Sequence, residues 1–321
     1  MKILIAGAYD NVPHTTVKFM EKAFRSLGHD VEIFDFRRIR KERGGSEMES
    51  QMLATVRETE PDTMILMKGE DINLRTIIAI GEHTHVSLRY MDSPLPRWLR
   101  KLAAACDSTF ITAGGLVAEF EKAGVKNVFH LWEGVDPEVH RHWETDTDDF
   151  ECDVAFVGVN KAGRDALLST VIETGADVAV YGRKWPAGFP VRGEGIYLDD
   201  FAKLCSRAKI VLGMNDNNSI ENYFSDRTFQ IPACRGFHIT SRVPGMENWF
   251  TDGGHLVCFD IGRGRGKKKY ADAADKVKYW LDRPDERVRI AAAGQKWVYE
   301  RYTWKKVCAG MTGKIEALIS C

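Results

Sequence analysis

Short apolar runs alternate with segments of helical period along this chain, and the alternation starts twice. In the first half the apolar runs are Ile3–Ala6, Val31–Phe34, Met64–Met67, Val86–Tyr90, Thr109–Thr112 and Val128–Leu131. Val17, Met20, Phe24 and Leu27 share one helical face, and Gly28 closes that helix. Further helical patterns cover roughly 46–58, 73–81, 94–105 and 115–123. Strands alternating with helices of this length predict βαβ units and a parallel sheet. A polar, aperiodic stretch at 138–151 interrupts the pattern. It then resumes with strands at Asp153–Val157, Val178–Tyr181, Ile210–Gly213, Phe237–Thr240 and Leu256–Phe259. Helices are expected at 162–174, 199–207, from about 226, and at 270–282, 285–300 and 303–319. The prediction is an α/β chain of two Rossmann-like domains, 1–137 and 152–302, joined by a linker at 138–151. A final helix at 303–321 is placed to pack back on the first domain.

Composition removes several classes. With 321 residues, 44% hydrophobic content and a net charge of −1, the chain can bury a core without staples and is not a disordered polyelectrolyte. No stretch approaches 18 consecutive apolar residues, so no membrane span is predicted. Met1–Gly7 is too short for a signal-peptide core and reads as a first strand. Seven cysteines without a C-x-x-C exclude a zinc ribbon or dithiol motif. They read as small buried hydrophobes of a cytoplasmic protein. Charge is unevenly divided. Residues 1–150 hold 19 Lys/Arg against 25 Asp/Glu, and residues 151–321 hold 26 against 21. An anionic ligand is therefore expected on the second half.

Open parallel sheets bind ligands beyond the carboxyl ends of their strands, so the loops after strands are the places to search. Gly158–Gly163–Arg164 has the G-x-x-x-x-G frame of a phosphate-binding loop but lacks its Lys-Ser/Thr pair. The missing pair argues against ATP or GTP hydrolysis by that device, while an anion on the helix start, clamped by Arg164, stays open. The plainer reading is an ordinary turn with a solvated Arg. No G-x-G-x-x-G follows the first strand, which removes the best dehydrogenase fingerprint. Ser225 reads as an N-cap, followed by Asp226 at the positive helix end, with Arg227 and Gln230 sharing a face. That set suits a sugar–phosphate ligand, and Pro232 is expected to end the helix early.

Other features read as bland. His83/His85 and His140/His142 have period-two spacing without a matching third ligand, and no metal site is predicted. Asp146-Thr-Asp148 matches a metal-binding D-x-D but falls in the linker. Arg37, Arg38, Arg40 and Lys41 form one basic loop and residues 263–269 another. Such loops either contact nucleic-acid phosphates or are simply solvated.

Residues 225–302 carry a recognisable pattern. It runs Ser225-Asp-Arg227-Thr-Phe-Gln-Ile-Pro-Ala-Cys234, then Gly236-Phe-His-Ile-Thr, Pro244-Gly245-Met-Glu247, Ala293-Gly294 and Tyr302-Thr303. Upstream lie Tyr90-Met-Asp92-Ser-Pro94, Gly134-Val-Asp136-Pro137, Asp153 to Gly158, and Val180-Tyr-Gly182 with Trp185. Together these resemble the CgeB-like (spore maturation protein type) group 1 glycosyltransferases of the GT-B fold, over nearly the whole chain. The resemblance implies two facing Rossmann-like domains, with a nucleotide sugar on the C-terminal one and an acceptor on the N-terminal one. It implies metal-independent sugar transfer, with no cofactor beyond the nucleotide-sugar donor. Donor contacts would come from Gly158, Arg164, Gly182, Trp185, Asn222, Ser225, Arg227 and Gln230. In related retaining enzymes two glutamates stand where this chain has Asn222 and Gln230, which leaves donor type and stereochemical course open.

An inverting reaction needs a general base on the acceptor side. Asp92, in a Pro-rigidified loop after a strand, is the first candidate, followed by Asp10 and His14. The acceptor is open among glycan, protein, small molecule and hydroxylated DNA base. Two further readings stand beside transfer: a non-catalytic nucleotide-sugar or glycan-binding relative, and a sugar-nucleotide epimerase of the same fold.

Overall fold

A computed structural model describes residues 1–9, 15–93, 95–144, 149–161 and 163–320. The chain divides into two compact units, Met1–Glu133 with Trp304–Cys321, and Gly134–Thr303. The first unit contains β1 (Lys2–Ala6), α1 (Thr16–Ser26), β2 (Asp30–Phe34), α2 (Phe36–Arg43), α3 (Gly45–Thr59) and β3 (Thr63–Met67). It continues through α4 (Leu74–Gly81), β4 (His85–Tyr90), α5 (Leu99–Ala104), β5 (Ser108–Ile111), α6 (Val117–Lys122) and β6 (Val128–His130). The second contains β7 (Val154–Val157), α7 (Arg164–Ile172), β8 (Val178–Tyr181), β9 (Val191–Gly193), α8 (Leu198–Arg207) and β10 (Ile210–Gly213). Then come α9 (Arg227–Ala233), β11 (His238–Ser241), β12 (Val257–Phe259), α10 (Ala271–Leu281) and α11 (Pro284–Arg301). The last helix, α12 (Trp304–Ile319), belongs to the first unit.

Each unit holds one six-stranded parallel sheet. The orders are β2-β1-β3-β4-β5-β6 and β12-β11-β10-β7-β8-β9. Parallel strands covered on both faces read as continuous apolar runs rather than alternating ones, which is why the runs were legible. In β1, Leu4 and Ala6 enter one core, while Ile3 and Ile5 enter the other with α1 and α12. Strand β9 was not predicted, because Val-Arg-Gly is short, exposed and has no apolar run.

Two expectations need correction. The basic stretch 37–43 is helix α2, not a loop; the Asp35 side chain caps it by accepting from the Arg38 N–H at 3.1 Å. The 138–151 stretch is not a detached linker where it is described. His140 is buried, and Trp143 and Phe150 pack on a core of the second unit. The Trp143 N–H donates to Ser206 Oγ at 3.0 Å, and Arg141 stacks 3.9 Å from the Trp143 ring. Polar, aperiodic sequence lacks a period, but it does not lack partners.

Helix α12 is fastened by Trp304, Val307, Cys308, Met311 and Ile315 in the same core as Met20 and Phe24. The Trp304 ring stacks on Phe19 at 6.5 Å. Trp304→Ala is expected to cost about 3–5 kcal/mol in urea unfolding. His238 on β11 is fully buried with Nδ1 2.8 Å from the Val211 carbonyl, and burial holds its imidazole down at about 4. The unfolded ring titrates near 6.5, so the unfolded state binds the proton first. Stability is then full above pH 6.5 and falls as pH drops toward 4, by up to about 3 kcal/mol. Replacing the ring by His238→Gln should flatten that slope in unfolding measured across the interval.

Candidate functional site

In the second unit β8 and β9 lie on one side of β7, and β10, β11 and β12 on the other. Strand order reverses between β7 and β10, and their carboxyl ends frame the crevice where open α/β sheets take ligands. Arg164, the first residue of α7, is buried there at 5% exposure. Its Nη1 donates to the Val159 carbonyl at 2.9 Å, and its Nη2 donates to the Met214 carbonyl and to Asp216 Oδ1, both at 2.8 Å. Val159 follows β7 and Met214 follows β10, so one guanidinium ties the two lips of the crevice. Lys161 pairs with the same Asp216. Burial pushes the Arg164 guanidinium below its usual range; Asp216 opposes this, and nearby Arg227 reinforces it.

The glycines serve close approach. A Cβ on Gly182 would stand 1.9 Å from the Gly158 carbonyl oxygen, which only a hydrogen can tolerate. Trp185 Nε1 donates to that same carbonyl at 3.0 Å, and its ring sits edge-on to Phe156 at 5.6 Å. Trp185 therefore props the loop from beneath.

The loop after β10 is organised by Asn215, which is 1% exposed. Its Oδ1 accepts from the Ser225 N–H at 2.7 Å, and its own N–H donates to Ser241 Oγ at 3.2 Å. Ser241 Oγ in turn donates to Asn218 Oδ1 at 2.5 Å. Asn215, Asp216, Asn218 and Ser241 were missed in the sequence. The available signal was the unbroken polar run 215–218 directly after a buried strand.

This scaffold places Ser225, Asp226, Arg227 and Gln230 together. Asp226, not Ser225, is the N-cap of α9: its Oδ1 accepts from the Arg227 N–H at 2.8 Å. Ser225 Oγ donates to the same oxygen at 3.0 Å, and Arg227 Nη1 lies 3.2 Å from it. Gln230 Nε2 reaches Asp226 Oδ2 at 3.4 Å. Burial by itself would raise the Asp226 carboxyl, but Arg227, the Ser225 hydroxyl and the Arg227 N–H together hold it below the usual carboxylate range. Helix α9 ends at Ala233 just after Pro232, as expected. Asn222 has φ +54°, and its Oδ1 accepts from Trp249 Nε1 at 2.8 Å, so its amide is engaged within the loop.

In the first unit the strand order reverses between β1 and β3. Asp10 and His14 lie outside the described residues, as do Asp146 and Asp148. Asp92 follows β4, and its Oδ2 accepts from Lys68 Nζ at 2.5 Å. Lys68 has φ +67°, and the Gly69 N–H donates to the Met67 carbonyl at 2.9 Å, a γ-turn that holds Lys68 in a strained conformation. Tyr90 stands beside them, its hydroxyl pushed up to about 12 by burial and by Asp92 and Glu70. On α2, Arg37 pairs with Glu70 at 2.8 Å, Arg38 with Glu42 at 3.1 Å and Arg40 with Asp71 at 3.8 Å. Lys41 is exposed on the same helix. His83 accepts from Arg57 and His85 meets Ser108, so that pair does not converge. Among the described residues no group of three or more His, Cys, Asp or Glu is arranged to hold a metal ion.

Comparison with known proteins fits this geometry. The fold is that of the GT-B glycosyltransferases. Residues 164–312, which contain Arg164, Arg227 and Gln230, match the model of a family described as Glycosyl transferase-like. No curated protein sequence matches the chain. Anabaena HepE, solved in complex with UDP and glucose, aligns at TM-score 0.67 and 10% identity over 99% of this chain and 100% of its own. Sucrose-phosphate synthase from Thermosynechococcus elongatus aligns at TM-score 0.69 and 10% identity over the whole of both chains. A glycosyltransferase from Rickettsia africae aligns at TM-score 0.69 and 9% identity over 99% of each.

Arg164→Ala would leave two buried carbonyls and Asp216 without their shared donor. A loss of about 2–4 kcal/mol is expected in thermal or urea unfolding. A loss below about 0.5 kcal/mol would contradict the bracing role.

Proposed function

We propose that this protein is a glycosyltransferase that takes a sugar from a nucleotide diphosphate, of the CgeB-like kind its motifs resemble. The observation that carries the reading is the convergence of Ser225, Asp226, Arg227 and Gln230 beside the braced crevice at β7 and β10. The UDP and UDP-glucose complexes of HepE support a uridine diphosphate donor. Arg227 then carries the charge of the departing diphosphate without a divalent ion. Gln230 hydrogen-bonds donor hydroxyls, and Gly158 and Gly182 let the backbone approach the donor. Arg164 and Trp185 act through the loops they hold.

The first unit takes the acceptor. Asp92, oriented by Lys68, accepts the proton of the attacking hydroxyl. The bond from that oxygen to the anomeric carbon forms, the bond to the diphosphate breaks, and the electron pair leaves on the diphosphate. Three of the five basic residues on α2 are matched by carboxylates, which favours an uncharged acceptor over a nucleic acid. A cavity of about 310 Å³ beside Asp71, Leu74 and Trp98 offers carboxylates and an aromatic face to a polyhydroxylated acceptor. Among the described residues six cysteines are free and buried, in keeping with a reducing cytoplasm. One observation favours a second reading, binding without transfer: the Asn222 amide is engaged by Trp249.

UDP-glucose at a hundred times its dissociation constant should stabilise the protein by about 2.7 kcal/mol in thermal unfolding. Arg227→Ala should remove that gain. Asp92→Asn should keep it while slowing transfer by about 10²–10⁴-fold. Stabilisation without turnover across an acceptor panel would select the binding reading. If UDP-, GDP- and dTDP-sugars all fail to stabilise the protein, the donor assignment falls.

A further inference from the structure

We propose that the second unit carries a separate anion site at its amino edge, suited to a phosphate or diphosphate group on a small molecule. The site is a cavity of about 330 Å³. Ala208 and Lys209 lead into β10 and Phe237 leads into β11, so the cavity opens where these strands begin. Four-residue strands span about 10–13 Å, which sets it apart from Met214 and Ser225 beyond the carboxyl ends.

Its charge is one-sided. Arg207, Lys209, Arg235 and Arg287 line it, together with His142. Arg207 pairs with Glu151 at 2.6 Å and Lys209 with Asp153 at 2.8 Å. Arg287 is 9% exposed and donates to the Trp280 and Leu281 carbonyls at the end of α10. Among the described residues no carboxylate forms an ion pair with Arg287 or Arg235. Two guanidiniums thus line one cavity outside any direct ion pair, Asp153, which pairs with Lys209, being the carboxylate that acts on Arg287 from nearby, and planar guanidiniums match phosphate oxygens two at a time.

Arg235 supplies an independent observation. Helix α9 ends in a Schellman turn, with the Gly236 N–H donating to the Ile231 carbonyl at 3.0 Å and the Arg235 N–H to the Pro232 carbonyl at 2.8 Å. The residue at this position takes the left-handed conformation and is most often glycine. Arg235 sits there with φ +57°. The backbone accepts a strain that glycine would avoid, and it holds a guanidinium at the mouth of a cationic cavity.

The probe is inorganic pyrophosphate, titrated into the full chain by calorimetry and thermal unfolding, with sodium chloride at matched ionic strength as reference. The titration is run in wild type and in Arg227→Ala, so that the donor crevice is disabled in one arm. Pyrophosphate should still bind and stabilise Arg227→Ala. Adding Arg235→Gly should weaken that binding at least tenfold, and Arg235→Lys, which keeps the charge but not the planar fork, should weaken it less. Without ligand, Arg235→Gly should raise Tm by about 1–3 °C as the turn relaxes. Pyrophosphate binding lost in Arg227→Ala, or unchanged in Arg235→Gly, would overturn the site; so would a chloride effect equal to that of pyrophosphate. These results leave the UDP-glucose test independent, since that reads Arg227 at the other edge.

Discussion

Both sheets are covered on both faces, so a polar group inside either unit needs a partner within the protein. Polar chemistry is driven to the strand ends, where main-chain carbonyls leave the ladder and need donors. The chain meets this need with a buried guanidinium in each unit. Arg164 binds the carbonyls after β7 and β10. Arg89, fully buried in β4, donates to the Leu131 and Trp132 carbonyls at 2.5 and 2.8 Å, with Glu133 at 3.4 Å. Burial pushes both guanidiniums below their usual range, and the neighbouring Glu133 and Asp216 offset part of the cost.

The crevice in the second unit follows from this bracing. Once Arg164 fixes the lips and Asn215 fixes the loop after β10, the start of α9 has one place to go. Asp226 closes the helix end and holds Arg227 and Gln230 by hydrogen bonds. Arg164 thus builds the crevice, while Arg227 stands beside it at the start of α9.

Much of the architecture was legible in the amino-acid pattern. The apolar runs marked eleven of the twelve described strands, because parallel strands buried on both faces leave a continuous signature. The 225–230 cluster was legible because its polar residues lie within one helical turn. Arg164 was found but its bracing contacts were not, since nothing in its neighbours shows that the carbonyls at 159 and 214 claim its donors. Asp216 and Asn215 were not found, because Arg164 lies 52 residues from the first and Ser241 26 residues from the second. Residues 37–43 were read as a loop because charge masked a helix that Asp35 caps.

By itself the sequence determined the class of architecture and the carboxyl edges where chemistry gathers, because burial on two faces and helical period are local, repeating properties. Tertiary structure alone decided which charges are occupied and which are open. Arg37 and Arg164 differ from Arg235 only in what the fold brings against them, and such pairings depend on contacts between distant segments that no local pattern encodes.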